Sequence, residues 1–387
     1  MRTTRILAGL AATALAAGTL AAAPSLAVPA KPAKPAKPAK PAKPAKPAKP
    51  AKPAKPTVLA KGLLSPLSIA VDGTDVYVTQ SFGGSLQLLR PGKQPKTLYT
   101  ATKRGAEVGA VSARRGTVTF AVSESDKDGN YTATRLLRIA GSGKATPVAN
   151  LLAYERKANP DGDVTYGVRG LADDCAAQWP ADGPPASYPG IVDSHPYATT
   201  TVKRTTYVAD AAMNAILAVS PQGKVRTVAV LPGVPTEITA GFAEEQGLPQ
   251  CAVGLDYYFE SVPTDVEVGP DGSLYVSSLP GGPEDPSMGA RGQVFRVHPR
   301  SGKVSRVAGG LVSPVGVAVA DNGDVYVSQL FSGAIAKIKK GSDRASTVRR
   351  LSMTGDVEVR GTMLFATTDV LPPKGKKPNG KVVSFRR

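Results

Sequence analysis

Histidine is nearly absent: 387 residues contain two, His195 and His298. Neither has a partner at ligand spacing, which argues against a zinc centre. Without a nucleophile elbow, a Ser-His-Asp hydrolase is not expected either. Cysteine is as scarce, with Cys175 and Cys251 alone. No cysteine lies near the expected cleavage site after the N-terminal apolar segment, so a lipoprotein anchor is not expected. In an exported chain an even pair implies one disulfide, the alternative being two separate buried thiols. LPPKG at 371–375 lacks the Thr and the hydrophobic tail of a sortase signal. Helical periodicity is almost missing after residue 56, and no membrane span is expected once the first residues are removed.

Those first residues read as a secretory signal over 1–27. Arg2 and Arg5 supply the charged start, 6–23 is an apolar run, and Ser25-Leu26-Ala27 offers small residues for cleavage. An uncleaved membrane anchor is the alternative, weakened by the low insertion energy of Ala and Gly. Residues 28–56 carry a Lys-Pro-Ala repeat with lysines at Lys31, Lys34, Lys37, Lys40, Lys43, Lys46, Lys49, Lys52 and Lys55. Proline at every third position removes amide donors and fixes its own φ, leaving polyproline II. Three residues per turn then place all nine lysines along one edge of a rod of roughly 80 Å. Of the formal net charge of +18, nine units lie in the repeat and two in the signal, which leaves +7 for 57–387. The rod is either a self-repelling spacer or a tether to an anionic cell-envelope polymer or surface. Nucleic acid is not expected, because the repeat has no aromatics to stack on bases and no arginine forks to read them.

From Thr57 the chain becomes valine-rich and repetitive. SPLSIAVDGTDVYVTQ from Ser65, VPTDVEVGPDGSLYVSS from Val262 and SPVGVAVADNGDVYVSQ from Ser313 are the clearest copies. Weaker ones begin at Gly109, His195 and Gly355. Each joins two alternating segments by a tight polar turn, and a third and fourth strand follow. Repeated four-stranded antiparallel units imply an all-β β-propeller. Tyr77, Phe120, Tyr207, Tyr275, Tyr326 and Phe365 mark six blades, with insertions near 150–193 and 233–260. TVLAKGLLSP at 57–66 matches SRVAGGLVSP at 305–314, so an N-terminal strand is expected to complete the last blade and close the ring.

The repeats resemble those of NHL and SMP-30-like propellers. YERKANPDGDVTYGVRGLADDC, GIVDSHPYATT, VPTDVEVGPDGSLYVSSLPGGPEDPS and SPVGVAVADNGDVYVSQLF make the region from about 57 to 387 similar to the secreted actinobacterial ScyD/ScyE family. That resemblance implies a six-bladed propeller of unassigned activity, and the lysine repeat is not part of the family pattern.

Aligned repeats place Ser68, Gly109, Ala198, Asp265, Gly316 and Asp356 on the innermost strands. Gln80, Ser123, Asp210, Ser278, Gln329 and Thr368 fall at the far end of the second strands. Asp265, Asp356 and Asp210 are the candidate ligands for one hard cation, calcium or magnesium, against solvated or main-chain-bonded carboxylates. Related lactonase propellers hold a divalent metal, but their Glu/Asn/Asn/Asp set has no match here. DKDG at 126–129 and NPDGD at 159–163 look like calcium-loop fragments, although Asp-Gly turns explain them as well. Glu107 and Glu124 read as rim charges, His195 as a structural residue holding a backbone carbonyl, and His298 as part of a turn. Trp179, Tyr188 and Tyr197 form either an aromatic wall for a sugar or peptide or packing for the insertion. The expected function is an exported, envelope-associated binding module that takes an unknown protein or glycan through its insertions. The alternative is a metal-dependent SMP-30-like hydrolase or lactonase using Asp265 and Asp356.

Overall fold

The computed structural model describes residues 55–387 except Ser142, 284–288 and Pro373. The expected signal and the lysines from Lys31 to Lys52 therefore lie outside the described residues. Pro56–Arg387 forms one unit, and of Arg5–Lys55 only Lys55 is described.

Strand β1 (Thr57–Leu63) opens the described chain. A first sheet follows in β2 (Ile69–Asp72), β3 (Asp75–Gln80), β4 (Ser85–Leu89) and β5 (Lys96–Thr100), and a second in β6 (Glu107–Arg114), β7 (Thr117–Ser125), β8 (Tyr131–Ile139) and β9 (Ala145–Asn150). Helix α1 (Leu151–Ala158), β10 (Thr165–Val168), α2 (Asp173–Ala176) and β11 (Ser187–Pro189) precede a third sheet of β12 (Pro196–Val202), β13 (Thr205–Asp210), β14 (Ala215–Val219) and β15 (Val225–Val230). Then come β16 (Val234–Glu237), α3 (Ala240–Gln246) and β17 (Asp256–Phe259). A fourth sheet is made of β18 (Pro263–Val268), β19 (Leu274–Ser278), β20 (Gly292–Val297) and β21 (Val304–Leu311), and a fifth of β22 (Pro314–Val319), β23 (Val325–Gln329), β24 (Ala334–Ile338) and β25 (Ala345–Arg350). The chain ends in β26 (Val357–Arg360), β27 (Met363–Thr368) and β28 (Gly380–Arg386).

Alternating apolar residues make the strands, and tight turns such as those at Gly272 and Gly323, at φ 76° and 84°, make the hairpins. In the sixth sheet β1 pairs antiparallel with β28, Thr57 opposite Ser384 and Leu63 opposite Gly380, giving the order β1-β28-β27-β26. The strands β2, β6, β12, β18, β22 and β26 are neighbours in that order, and β26 also neighbours β2. Between each two successive sheets lies a buried apolar layer. All six marker aromatics pack in these layers, Phe120 and Tyr326 almost fully buried. This arrangement is that of a β-propeller.

Six four-stranded units were expected, and seven four-stranded sheets are present among the described residues. The seventh, in the order β11-β10-β17-β16, comes from the two stretches read as insertions, which pair across β12 to β15. Its strands are three or four residues long and belong to no hairpin repeat, so no periodicity announces them. It has a core of its own, in which Val168, Ile238, Phe242, Tyr257 and Phe259 surround Cys175. The Cys175–Cys251 disulfide joins the two segments. No helix among the described residues is long and apolar enough to cross a membrane.

Candidate functional site

The innermost strands of the fourth and sixth sheets share a four-residue pattern, Asp265-Val266-Glu267-Val268 and Asp356-Val357-Glu358-Val359. Period-two alternation sends Val266 and Val357 into the layers between sheets and puts each acid pair on the opposite face. Asp265 and Asp356 are buried, Glu267 and Glu358 half-buried.

Each aspartate bridges to the inner strand of the next sheet. Asp265 Oδ2 accepts the Val317 N–H at 2.6 Å and Oδ1 its neighbour Val266 N–H at 2.7 Å. Asp356 repeats the pattern with the Ile69 N–H at 2.7 Å and the Val357 N–H at 2.7 Å. Gly316 makes room for this, because a Cβ there would stand 2.7 Å from Asp356 Oδ1. Thr200 donates to Glu267 Oε2 at 3.3 Å.

Burial pushes the Asp265 carboxyl up to about 7 in spite of its two N–H donors. Asp356 is held well above the carboxylate range by burial and then by the charge of Asp265. Glu267 rises through burial and Asp265, and Glu358 through burial, Glu267 and both aspartates. The charges acting on the four are chiefly one another. At neutral pH such a group shares protons or attracts a cationic partner.

Asp210 does not join them. Its Oδ1 accepts the His195 N–H at 2.8 Å and its Oδ2 the Ser194 hydroxyl at 2.8 Å. The residues aligned with it do similar work: Gln80 Oε1 accepts Leu64 N–H at 2.8 Å and Gln329 Oε1 accepts Val312 N–H at 2.7 Å. Ser278 and Thr368 donate to the carbonyls of Ser261 and Ser352. Each fastens the link that enters its own sheet, so this position is a latch, and the expected trio of aspartates is not assembled. Among the described residues no three His, Cys, Asp or Glu side chains gather as a metal-binding group.

Other expectations change as well. His195 holds no carbonyl through its ring; Nε2 lies 2.9 Å from Glu107 Oε2, and the ring stacks on Tyr131. Glu107 is thus the partner of an ion pair rather than a free rim charge. Burial opposes charge on His195, but the Glu107 carboxylate outweighs it and raises the imidazole. Glu124 pairs with Arg135 and Lys103. DKDG is a turn in which Asp126 Oδ1 accepts two main-chain N–H groups, and His298 caps a turn at Ser301. No common aromatic wall forms, since Trp179 and Tyr188 pack on the seventh sheet's core while Tyr197 meets His195.

Alignment singled out Asp265 and Asp356 but missed Glu267 and Glu358. The repeated Asp-Val-Glu-Val pattern was the signal for them.

No family model matches the chain, and no curated protein matches it. Among solved structures, the PQQ-bound aldose sugar dehydrogenase from Streptomyces coelicolor is 14% identical with a TM-score of 0.51, covering 88% of this chain and 99% of that one. A putative oxidoreductase (glucose dehydrogenase) from Thermus thermophilus is 13% identical with a TM-score of 0.52, covering 85% and 99%. A putative gluconolactonase is 17% identical with a TM-score of 0.39, covering 71% and 77%, too distant to argue from. At these identities the likeness is one of fold, the β-propeller.

Proposed function

We propose that this chain is an exported, envelope-associated six-bladed propeller of the ScyD/ScyE type that acts as a binding module. The cycle of six inner strands, the six apolar layers and the pairing of β1 with β28 support six blades, with the seventh sheet as an accessory. Export and envelope association rest on the apolar N-terminus and the lysine repeat.

One observation carries the binding reading. Of the seven large hydrophobics exposed among the described residues, five lie at one end of the sheets: Phe82, Ile191, Val192, Val312 and Phe331. Phe82 and Phe331 follow the ends of β3 and β23. Val312 and Ile191-Val192 precede the starts of β22 and β12, which pair with the equivalent ends of their own second strands, Pro314 opposite Gln329 of β23 and Pro196 opposite Asp210 of β13. Asp265 and Asp356 lie near this end, beside the starts of their inner strands. An apolar rim around acidic side chains suits a partner that presents apolar surface and a cationic group.

The test uses immobilised 57–387, free of the lysine repeat's charge, against a native envelope extract. Saturable capture should be lost in Phe82→Ser/Phe331→Ser and kept in Val58→Ser/Val348→Ser, which alter the two exposed hydrophobics elsewhere. No saturable capture, or equal loss in both variants, overturns the reading.

A second reading, the metal-dependent SMP-30-like hydrolase, draws on the mutual electrostatic influence of Asp265, Asp356, Glu267 and Glu358, which do not gather as a metal-binding group among the described residues. It requires hydrolysis of a lactone or ester by protein loaded with calcium or magnesium, and loss of that hydrolysis in Glu267→Gln. A panel of both substrate classes left intact removes it.

A further inference from the structure

The turn reading of 159–163 accounts for the main chain of that segment but not for its side chains. Gly162 N–H bonds the Asn159 carbonyl at 3.0 Å and Val164 N–H the Asp161 carbonyl at 2.8 Å, as a turn requires. Yet Asp161 and the preceding Glu155 are both 0% exposed. A main-chain N–H of Asp193 acts on the Glu155 carboxylate without closing a well-formed hydrogen bond to either oxygen, and Asp161 Oδ1 and Asn159 Oδ1 have no hydrogen-bond partner. Four buried acceptor oxygens without a well-formed hydrogen bond, gathered within seven residues, are costly unless something positive meets them.

Local geometry brings them together. Glu155 and Asn159 are one helical turn apart on α1 and its cap, where the Asn159 N–H closes on the Glu155 carbonyl at 2.8 Å and Asn159 takes φ 35°. Asp161 lies two residues on and is fixed from its other oxygen, Oδ2, by Asn214 Nδ2 at 2.9 Å and the Tyr166 hydroxyl at 3.2 Å. Those two bonds leave Oδ1 as the free acceptor. Gly190 presses on the same carboxylate, since a Cβ there would stand 2.3 Å from Oδ1. Burial first, and then the charges of Asp161, Asp210 and Asp193, push Glu155 up to about 8 against the main-chain N–H of Asp193.

We propose that Glu155, Asn159 and Asp161 form a site for one hard divalent cation of the calcium type. Two carboxylates and an amide oxygen are donors that calcium accepts, with main-chain carbonyls or water completing its six to eight oxygens. The site sits where three parts of the fold meet. α1 leaves the second sheet, Tyr166 belongs to β10 of the seventh, and Asn214 lies in the β13–β14 turn of the third. A bound cation fastens the disulfide-joined accessory sheet to the second and third sheets, so calcium governs the order of the surface around 150–193. This inference does not depend on what the acids of β18 and β26 bind.

The whole chain, stripped with chelator, is titrated with calcium and separately with terbium, which Tyr166 is placed to sensitise. The expected result is saturable uptake of one calcium, tyrosine-sensitised emission displaced by calcium, and affinity weakened at least about tenfold in Glu155→Gln. If that variant does not fold, Asn159→Ala at the half-buried helix end should weaken binding in the same direction. Asp265→Asn should leave it unchanged. No saturable uptake by the native chain overturns the proposal. Uptake that persists in the Glu155 and Asn159 variants but disappears in Asp265→Asn also overturns it, by moving the ion to the inner strands.

Discussion

Carboxyls that cannot all ionise make the stability of this protein depend on pH in a definite direction. Asp265 moves from 3.8 to about 7, and Asp356, Glu267 and Glu358 move the same way. Groups raised in the folded state bind more protons there than in the unfolded chain. Their contribution is complete below about pH 4 and is lost as pH rises through the folded values, so the cation-free protein should lose stability as pH rises from about 4 to about 7. Glu267→Gln/Glu358→Gln removes two of the repelling charges without touching the aspartate bonds. Denaturant unfolding should therefore show the double variant roughly 1–3 kcal/mol more stable than the native chain at about pH 8, and equal to it near pH 4. Equal stability at both pH values would mean that the acids do not repel. Gly316 gives a second prediction at this scale. In Gly316→Ala the new methyl displaces Asp356 from the Ile69 and Val357 amides, which should cost roughly 1–3 kcal/mol. An unchanged unfolding midpoint would show that Asp356 finds another path. Reading Glu267 and Glu358 from sequence needed only the alternation that places residues i and i+2 on one face. Asp210 needed more, because a strand-end carboxylate reads as a ligand until the link it fastens is visible.

The strand is the scale at which the sequence speaks most clearly, and also where it fails. Hairpin repeats are local, so six marker aromatics and the match between 57–66 and 305–314 identified six sheets and the partner of β28. The seventh sheet joins β10 and β11 to β16 and β17 across a whole intervening sheet, and neither half could bury its apolar side chains alone. A non-local pairing of four-residue strands leaves no period to find. Its dependence on the disulfide can be measured. Cys175 and Cys251 are 76 residues apart, and closing a loop of that size contributes about 4 kcal/mol in the chain-entropy model. Cys175→Ser/Cys251→Ser should therefore speed amide exchange of Val168, Tyr257 and Phe259 while Val266 and Val327 in the inter-sheet layers keep their protection. Equal acceleration everywhere would show that the accessory sheet and the six others unfold together. Removing β1 acts in the opposite place. Deleting 57–63 uncovers the edge of β28 and the layer holding Leu63 and Val382, and the expected product is less stable and prone to edge-to-edge association. A monomer that melts like the full chain would contradict it.

Over the whole molecule, charge and fold are separate devices. Half of the net charge of +18 is concentrated in the nine repeat lysines, whereas 57–387 carries +7 spread over a much larger surface. Binding to a polyanion through released counterions scales with the charges that can be brought to it together. Nine lysines spaced at every third residue of one short segment can engage together, but scattered surface charges, several already paired as Arg90 is with Asp75 and Lys337 with Asp324, cannot. The full-length chain should therefore elute from an immobilised polyanion at distinctly higher salt than 57–387. Deleting 31–56 should also make envelope retention insensitive to salt. Replacing the nine lysines by glutamine preserves the Pro spacing and separates charge from length: a tether loses its retention, a spacer keeps it. Co-elution of the full chain and 57–387 would make the repeat a spacer and leave any attachment to the apolar face that carries Phe82 and Phe331.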